Sequence, residues 1–262
     1  MRPPTTAAVL LLAIATTAQA TPPVEAQYSA RVAGFRVMTI DVHATIGPET
    51  YRISARARSA GLATLATRFD QTATAEGAVT PEGIRPLRFR AEGEWQGETR
   101  RVELVLAETP PRIQLDPPEV REREPVPPAL AQGGIDTLTA LLAVSRQVSR
   151  LGARGCDLDV TVFDGRRLKT ITLSAAGEAT VPGRGTHAVR CRVEGRQLAG
   201  FWRDWDRAEA QRPKAGMVWI AAPFEGAPAM PVRLEMGIDW LGTLVVTLDD
   251  ARPAALQPAA TR

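Results

Sequence analysis

The residue types that could carry a reaction are few and widely spaced. His43 and His187 are the two histidines, and Cys156 and Cys191 the two cysteines. A zinc site draws three or four imidazole, thiolate or carboxylate ligands from defined spacings. Two isolated histidines do not provide that, so neither a metal nor a cofactor is predicted. The chain has no Gly-x-Ser-x-Gly elbow, phosphate loop or dinucleotide fingerprint. No catalytic residue is therefore assigned. Asp157, Asp159 and Asp164 are the nearest approach to the paired carboxylates of a glycan hydrolase. Asp157 and Asp159, however, share the polar side of one strand, where burial is not expected.

Binding chemistry is better represented. Arg166 and Arg167 follow Asp164-Gly165, and two guanidiniums at a loop tip suit phosphate or carboxylate. The plainer reading makes Asp-Gly the turn and the two arginines solvated edge charges. Phe201-Trp202-Arg203-Asp204-Trp205 concentrates aromatic rings in a chain that is 5% aromatic. These rings either pack the core or form the apolar rim of a β cavity, with Arg203 gripping an acidic headgroup. Because 34 residues separate Cys156 from Cys191, no redox-active CxxC exists, and the pair reads as a structural disulfide.

The elements that must position these groups read as strands. Val160 and Val162 alternate with polar neighbours before Asp164-Gly165, and Lys169, Ile171 and Leu173 continue after it. Asp-Gly between alternating segments predicts a hairpin with a two-residue turn, both turn residues at positive φ. A bridge from Cys156 to Cys191 would staple this hairpin to the strand around Val189–Val193, removing roughly 3.8 kcal/mol of unfolded-chain entropy. Period-two alternation also marks strands near 27–32, 38–46, 51–58, 69–79, 87–93, 102–106, 187–194, 217–222, 232–238 and 243–248. The proline-rich run 109–128 reads as a surface connector, because proline lacks a ladder donor. Asp136 caps a helix near 136–151 that carries Leu138, Leu141, Leu142, Ser145 and Val148 on one face, with Gly152 past its end. The class predicted is all-β and mainly antiparallel. About a dozen strands form a curled sheet, a partly closed barrel or a sandwich, with one flanking helix.

The N-terminus predicts the address. Met1-Arg2, the apolar run Ala7–Ala15 and Ala18-Gln19-Ala20 have the layout of a secretory signal peptide over 1–20. A single β-rich domain over 21–252 and a disordered Ala/Pro tail over 253–262 complete the expected organisation. No later run approaches the ~20 apolar residues of a membrane-spanning helix. Export into the oxidising periplasm makes a disulfide the natural state of the two cysteines. The net charge is only +3, and all basic residues but Lys169 and Lys214 are arginines interleaved with glutamates. That pattern is a solvated mixed face, and a nucleic-acid partner is not expected.

Several words occur in order: Ile135-Asp136-x-Leu138-Thr139-Ala140-Leu141-Leu142, Cys156, Val162-Phe163-Asp164-Gly165-Arg166-Arg167, Cys191 with Gly200-Phe201, Val218-Trp219-Ile220 and Pro231-Val232-Arg233-Leu234. Together they resemble a family of exported Gram-negative proteins classed as a domain of unknown function, over roughly 27–249. The resemblance implies a periplasmic β-rich fold with a cysteine pair and brings no activity. The fold type also looks similar to the curled sheet of periplasmic envelope-integrity and lipoprotein-carrier proteins, a likeness of fold alone. The function expected is that of a non-catalytic cell-envelope protein, binding an apolar or amphiphilic ligand or another envelope protein in the curl of its sheet. Hydrolysis of envelope glycans or peptides and a purely structural interaction role are the alternatives.

Overall fold

The computed structural model describes residues 22–254 apart from 62, 67, 96, 120 and 239–241. The predicted signal peptide and the turn at Trp240 lie outside the described residues. Thirteen strands run along the described residues: β1 Val24–Val32, β2 Phe35–Ile46, β3 Thr50–Ser59, β4 Phe69–Val79, β5 Ile84–Trp95, β6 Glu98–Val105, β7 Arg112–Asp116, β8 Leu158–Phe163, β9 Leu168–Thr180, β10 His187–Ala199, β11 Lys214–Ala221, β12 Met230–Ile238 and β13 Gly242–Pro253. Short helical segments α1 (Ala63–Ala66) and α3 (Arg207–Ala210) sit in loops, and α2 (Thr137–Leu151) is the substantial helix.

All thirteen strands join one antiparallel sheet in the order β7-β6-β5-β4-β3-β2-β1-β13-β12-β11-β10-β9-β8. Strands that are neighbours in sequence are neighbours in space except β7 and β8. The first and last strands meet, because β1 pairs with β13 from Val24↔Pro253 to Val32↔Leu244. The long connection from β7 to β8 carries α2 between the two edge strands. Pro253 and Ala254, assigned to the tail from composition, belong to the sheet region: Pro253 ends β13, and the Ala254 amide donates to the Pro23 carbonyl at 2.7 Å.

Alternation decides which face is buried. Along β4, Ala73 and Ala75 turn inward while Asp70, Thr72 and Thr74 line an outer groove. The inner residues of β4 are small for a reason. A Cβ at Gly77 would stand 2.7 Å from the Tyr51 ring, and α2 also lies against β4 and β5. Opposite faces of β11 serve different clusters: Val218 and Ile220 pack with α2 and the disulfide, and Trp219 packs with Tyr28, Met230 and Leu248.

The helix lies against the sheet on both halves of the curl. Leu138 and Leu142 pack with Phe89 and Leu104 of the first half, and Val144 and Val148 pack with Leu173 and Val193 of the second. The sheet therefore curls around α2, and burial is not confined to one stripe. Leu141, predicted to be inward, is 45% exposed, and Thr139, Ala140 and Val144 are buried instead. The Asp136 carboxylate caps the helix by accepting from the Thr139 amide at 2.9 Å and from its hydroxyl at 2.5 Å. The Tyr51 hydroxyl lies 2.6 Å from the same Thr139 oxygen, which ties the helix start to β3. Burial raises the pKa of Asp136 despite those hydrogen bonds.

Cys156 and Cys191 are bonded, their Cα atoms 5.4 Å apart and both fully buried. The bridge holds the segment after α2 to β10, as expected of a lone cysteine pair in an exported chain. The hairpin turn differs from expectation. β8 ends at Phe163 and β9 begins at Leu168, so four residues form the loop, and of these only Gly165 has positive φ. The Asp164 carboxylate accepts from the amides of Arg166 at 3.0 Å and Arg167 at 2.8 Å. This side-chain turn replaces the tight two-residue geometry. The proline-rich run also holds more structure than a connector: Arg112–Asp116 forms the edge strand β7 between two proline pairs.

Candidate functional site

The two edges of the curl approach each other at the tip of the β8–β9 hairpin. A Cβ on Gly165 would stand 2.4 Å from Val102 on β6, so the loop rests directly on the first half of the sheet. Arg166 fastens the contact by donating to the Pro117 carbonyl, just past β7, at 2.7 Å. The segment 122–124 then crosses the seam and pairs with the residues after β10. The Glu124 amide donates to the Phe201 carbonyl, and the Arg203 amide to the Glu122 carbonyl, both at 2.9 Å. Gly200 permits this, at φ +76° with its Cα close to the Arg166 carbonyl; a Cβ there would lie 1.9 Å from that oxygen.

Aromatic rings line the seam in series. Phe69 meets Trp95 edge-on at 6.1 Å, Trp95 lies 6.4 Å from Trp202, and Trp202 lies 6.3 Å from Trp205. The series runs outward to Trp205, which is 64% exposed. The Arg123 guanidinium sits 3.8 Å above the Trp202 ring and donates to the Gly200 carbonyl at 2.9 Å. Burial first, and then the charge of Arg167, pushes its pKa down to about 10.

Of the predicted binding residues, the structure brings Arg166, Arg167, Phe201, Trp202 and Trp205 to this seam. Their roles differ from those expected. Arg166 is a clamp between the edges, and Arg167 pairs with Asp164 at 2.7 Å. Phe201 is buried beneath Arg207. Arg203 is exposed, and the cation on the indole face is Arg123. Arg123, Trp95 and Lys169 also belong to the seam, and their sequence neighbours do not single them out as binding residues. Lys169 carried a signal, because it occupies the apolar register of Ile171 and Leu173. Arg123 sits in an alternating Glu-Arg-Glu word whose pairing partner is 77 residues away.

Among the described residues, the histidines and the candidate aspartates stand apart from one another. Asp157 accepts from the Ala175 amide, Asp159 is exposed, and Asp164 is committed to its own loop and Arg167. Burial alone would raise the pKa of Asp164, but Arg167 and two amides outweigh it and hold the carboxyl below its ordinary value. His187 is a surface residue 3.8 Å from Glu178. His43 stands between Glu25 and Ser54 in the strand register, on an outer groove of about 390 Å³. Among the described residues no hydrogen bond joins those three, and Glu25 accepts from Arg252 at 2.8 Å. A neighbouring groove of about 670 Å³ is lined by ion pairs such as Arg56–Asp70 at 2.7 Å and Arg90–Glu103 at 3.1 Å. Among the described residues no group of histidines, cysteines and carboxylates is arranged to hold a metal. No helix among them is long and apolar enough to cross a membrane.

The model of a family described as "Protein of unknown function (DUF3108)" matches residues 27–249, a span that holds the helix, the hairpin and both cysteines. The chain belongs to the DUF3108 family. That span runs from β1 to β13 and so takes in the whole sheet. No curated protein matches the chain. Among solved structures, the chain is similar to a beta-barrel-like protein of domain of unknown function DUF1849 from Brucella abortus. The TM-score is 0.50 at 11% identity, covering 89% of this chain and 98% of that one. A putative outer membrane lipoprotein-sorting protein domain from Vibrio parahaemolyticus aligns with TM-score 0.31 at 8% identity, over 91% of this chain and 88% of that one. The first likeness bears on the barrel-like fold.

Proposed function

We propose that this DUF3108 protein is a non-catalytic, exported protein of the cell envelope, and that it binds an amphiphilic ligand on the aromatic seam and not inside the curl. The observation that carries the reading is the indole series ending at exposed Trp205, with Arg123 stacked on Trp202. Exposed indole beside guanidinium is the composition of binding hot spots, where apolar area and a fixed cation act together. The interior is a poor alternative: α2 and the hairpin fill it with Leu138, Leu142, Phe163 and Leu168. The buried Cys156–Cys191 bridge supports export, since such bonds persist in oxidising compartments. The ion-paired outer face and the engaged Asp164 support binding over catalysis.

The test is titration of the full chain with the neutral apolar fluorophore N-phenyl-1-naphthylamine. Saturable enhancement with a micromolar Kd, weakened at least tenfold in the Trp202→Ala/Trp205→Ala variant, is the expected result. Enhancement that never saturates, or that the double variant leaves unchanged, would remove the seam as the binding surface.

A further inference from the structure

The charges at the inner side of the seam do not balance. Lys169 lies directly across from Gln197 in the β9–β10 ladder, so their side chains share one face. The Gln197 amide donates to the Gly200 carbonyl at 2.8 Å, the same oxygen that accepts from Arg123 at 2.9 Å. Gln197 and Arg123 thus converge on one carbonyl, which brings Arg123 to the end of β10 that Lys169 faces, and Arg167 enters from the start of β9. One carboxylate, Asp164, serves this group, and it is bound to Arg167 and to its own loop amides. Glu122 is taken by Arg100 at 2.5 Å. Among the described residues, the Lys169 ammonium has no hydrogen bond or ion pair, although the residue is half-buried.

Partly buried cations are ordinarily neutralised by a partner, since desolvating an unpaired charge is costly. Three cations against one carboxylate leave two positive charges unmet, which is the charge of a phosphate monoester near neutral pH. We infer that Arg123, Arg167 and Lys169 form an oxyanion subsite that takes the phosphate-type headgroup of the ligand whose apolar part lies on Trp202 and Trp205. This deepens the binding reading above by naming the headgroup. Burial, and then the charges of Arg167 and Arg123, already lower the pKa of Lys169. A bound oxyanion would reverse that pressure and shield the amine.

Only two lysines occur in the chain, Lys169 and Lys214, so competitive amine acetylation followed by peptide mass spectrometry reads the site directly, with Lys214 as reference. The arms are n-dodecyl phosphate, inorganic phosphate and neutral n-dodecyl maltoside, each below its micelle concentration. The expected result is at least tenfold slower acetylation of Lys169 with dodecyl phosphate, no change at Lys214, and loss of protection in Arg123→Met. Equal protection by inorganic phosphate would assign the oxyanion to a free ion and keep the subsite. No protection by either phosphate, or equal protection by the maltoside, would overturn it. Because the reporter is Lys169 and not the indoles, fluorophore binding without phosphate protection retires the subsite alone, and phosphate protection without fluorophore binding retires the apolar surface alone.

Discussion

Asp164 shows how one side chain can be misjudged from its neighbours in sequence. Next to glycine it suggests a tight turn, and next to two arginines it suggests a charged loop tip. In the structure its carboxylate organises the loop, accepting two amides and the Arg167 guanidinium, and its side chain is 21% exposed. Its folded pKa lies below the ordinary aspartate value, so its contribution to stability is complete above about pH 4 and is lost as pH falls through the depressed value. Asp136, with a raised pKa, has the opposite sign: its contribution is complete at low pH and is lost as pH rises through the folded value. Asp164→Asn should cost about 2 kcal/mol at pH 7, the range for charge-assisted hydrogen bonds. It should also flatten the loss of stability below pH 4, as read from urea midpoints across pH 3–7. A variant that kept the wild-type acid limb would show that Asp164 does not govern it.

At the level of elements, α2 depends on a buried polar chain more than on its own amphipathic stripe. The helix is enclosed on two sides, and Asp136, Thr139 and Tyr51 fix its entry into the curl. Burial pushes the Tyr51 phenol up to about 12, so it remains a neutral hydroxyl at ordinary pH. Removing that hydroxyl in Tyr51→Phe leaves Thr139 bonded to Asp136 and should cost about 1 kcal/mol. Thr139→Val breaks both links and leaves the carboxylate under-satisfied, for about 3 kcal/mol. Urea unfolding of the two variants should keep that order. Equal losses would mean that the polar chain is not what seats the helix. The edge strands are guarded by different devices. β7 is short, carries Arg112 and Asp116 at its ends and is bracketed by prolines. β8 has its free side partly occupied by Ile135, whose carbonyl accepts from the Phe163 amide at 2.8 Å.

For the whole molecule, the strand order is that of a simple up-and-down meander whose chain has been cut between β13 and β1 and rejoined through α2. Every neighbouring pair but β1–β13 is joined by one connection, while that pair lies across nearly the full chain. Pairing across such a separation slows folding, because loop-closure entropy is lost before the contacts form. A permutant that links Ala254 to Pro23 through a short Gly/Ser linker and opens at exposed Gly133 keeps every strand pair and the helix cap. It should retain the wild-type far-ultraviolet circular dichroism and a single cooperative transition, and refold faster in stopped-flow fluorescence. Slower refolding, or loss of the sheet, would show that the β7–β8 crossover must stay continuous.

Much of the architecture was legible because strand pairing is written locally. Period-two alternation around β2, β3, β4 and β5, the capping Asp136 and the glycine after α2 are all nearest-neighbour signals. The ordered words that mark the family were equally available, as was the prospect of joining the only two cysteines. Tertiary structure decided how far the sheet curls, that the helix fills it, and which cation meets which indole. Arg123 and Trp202 are neighbours because two connections cross one seam, and Lys169 has no ion pair among the described residues because the carboxylate beside it is already taken. Local periodicity reports which side of its own strand a residue occupies. It contains nothing about which distant loop will lie over that side, because chain closure and side-chain competition settle that together.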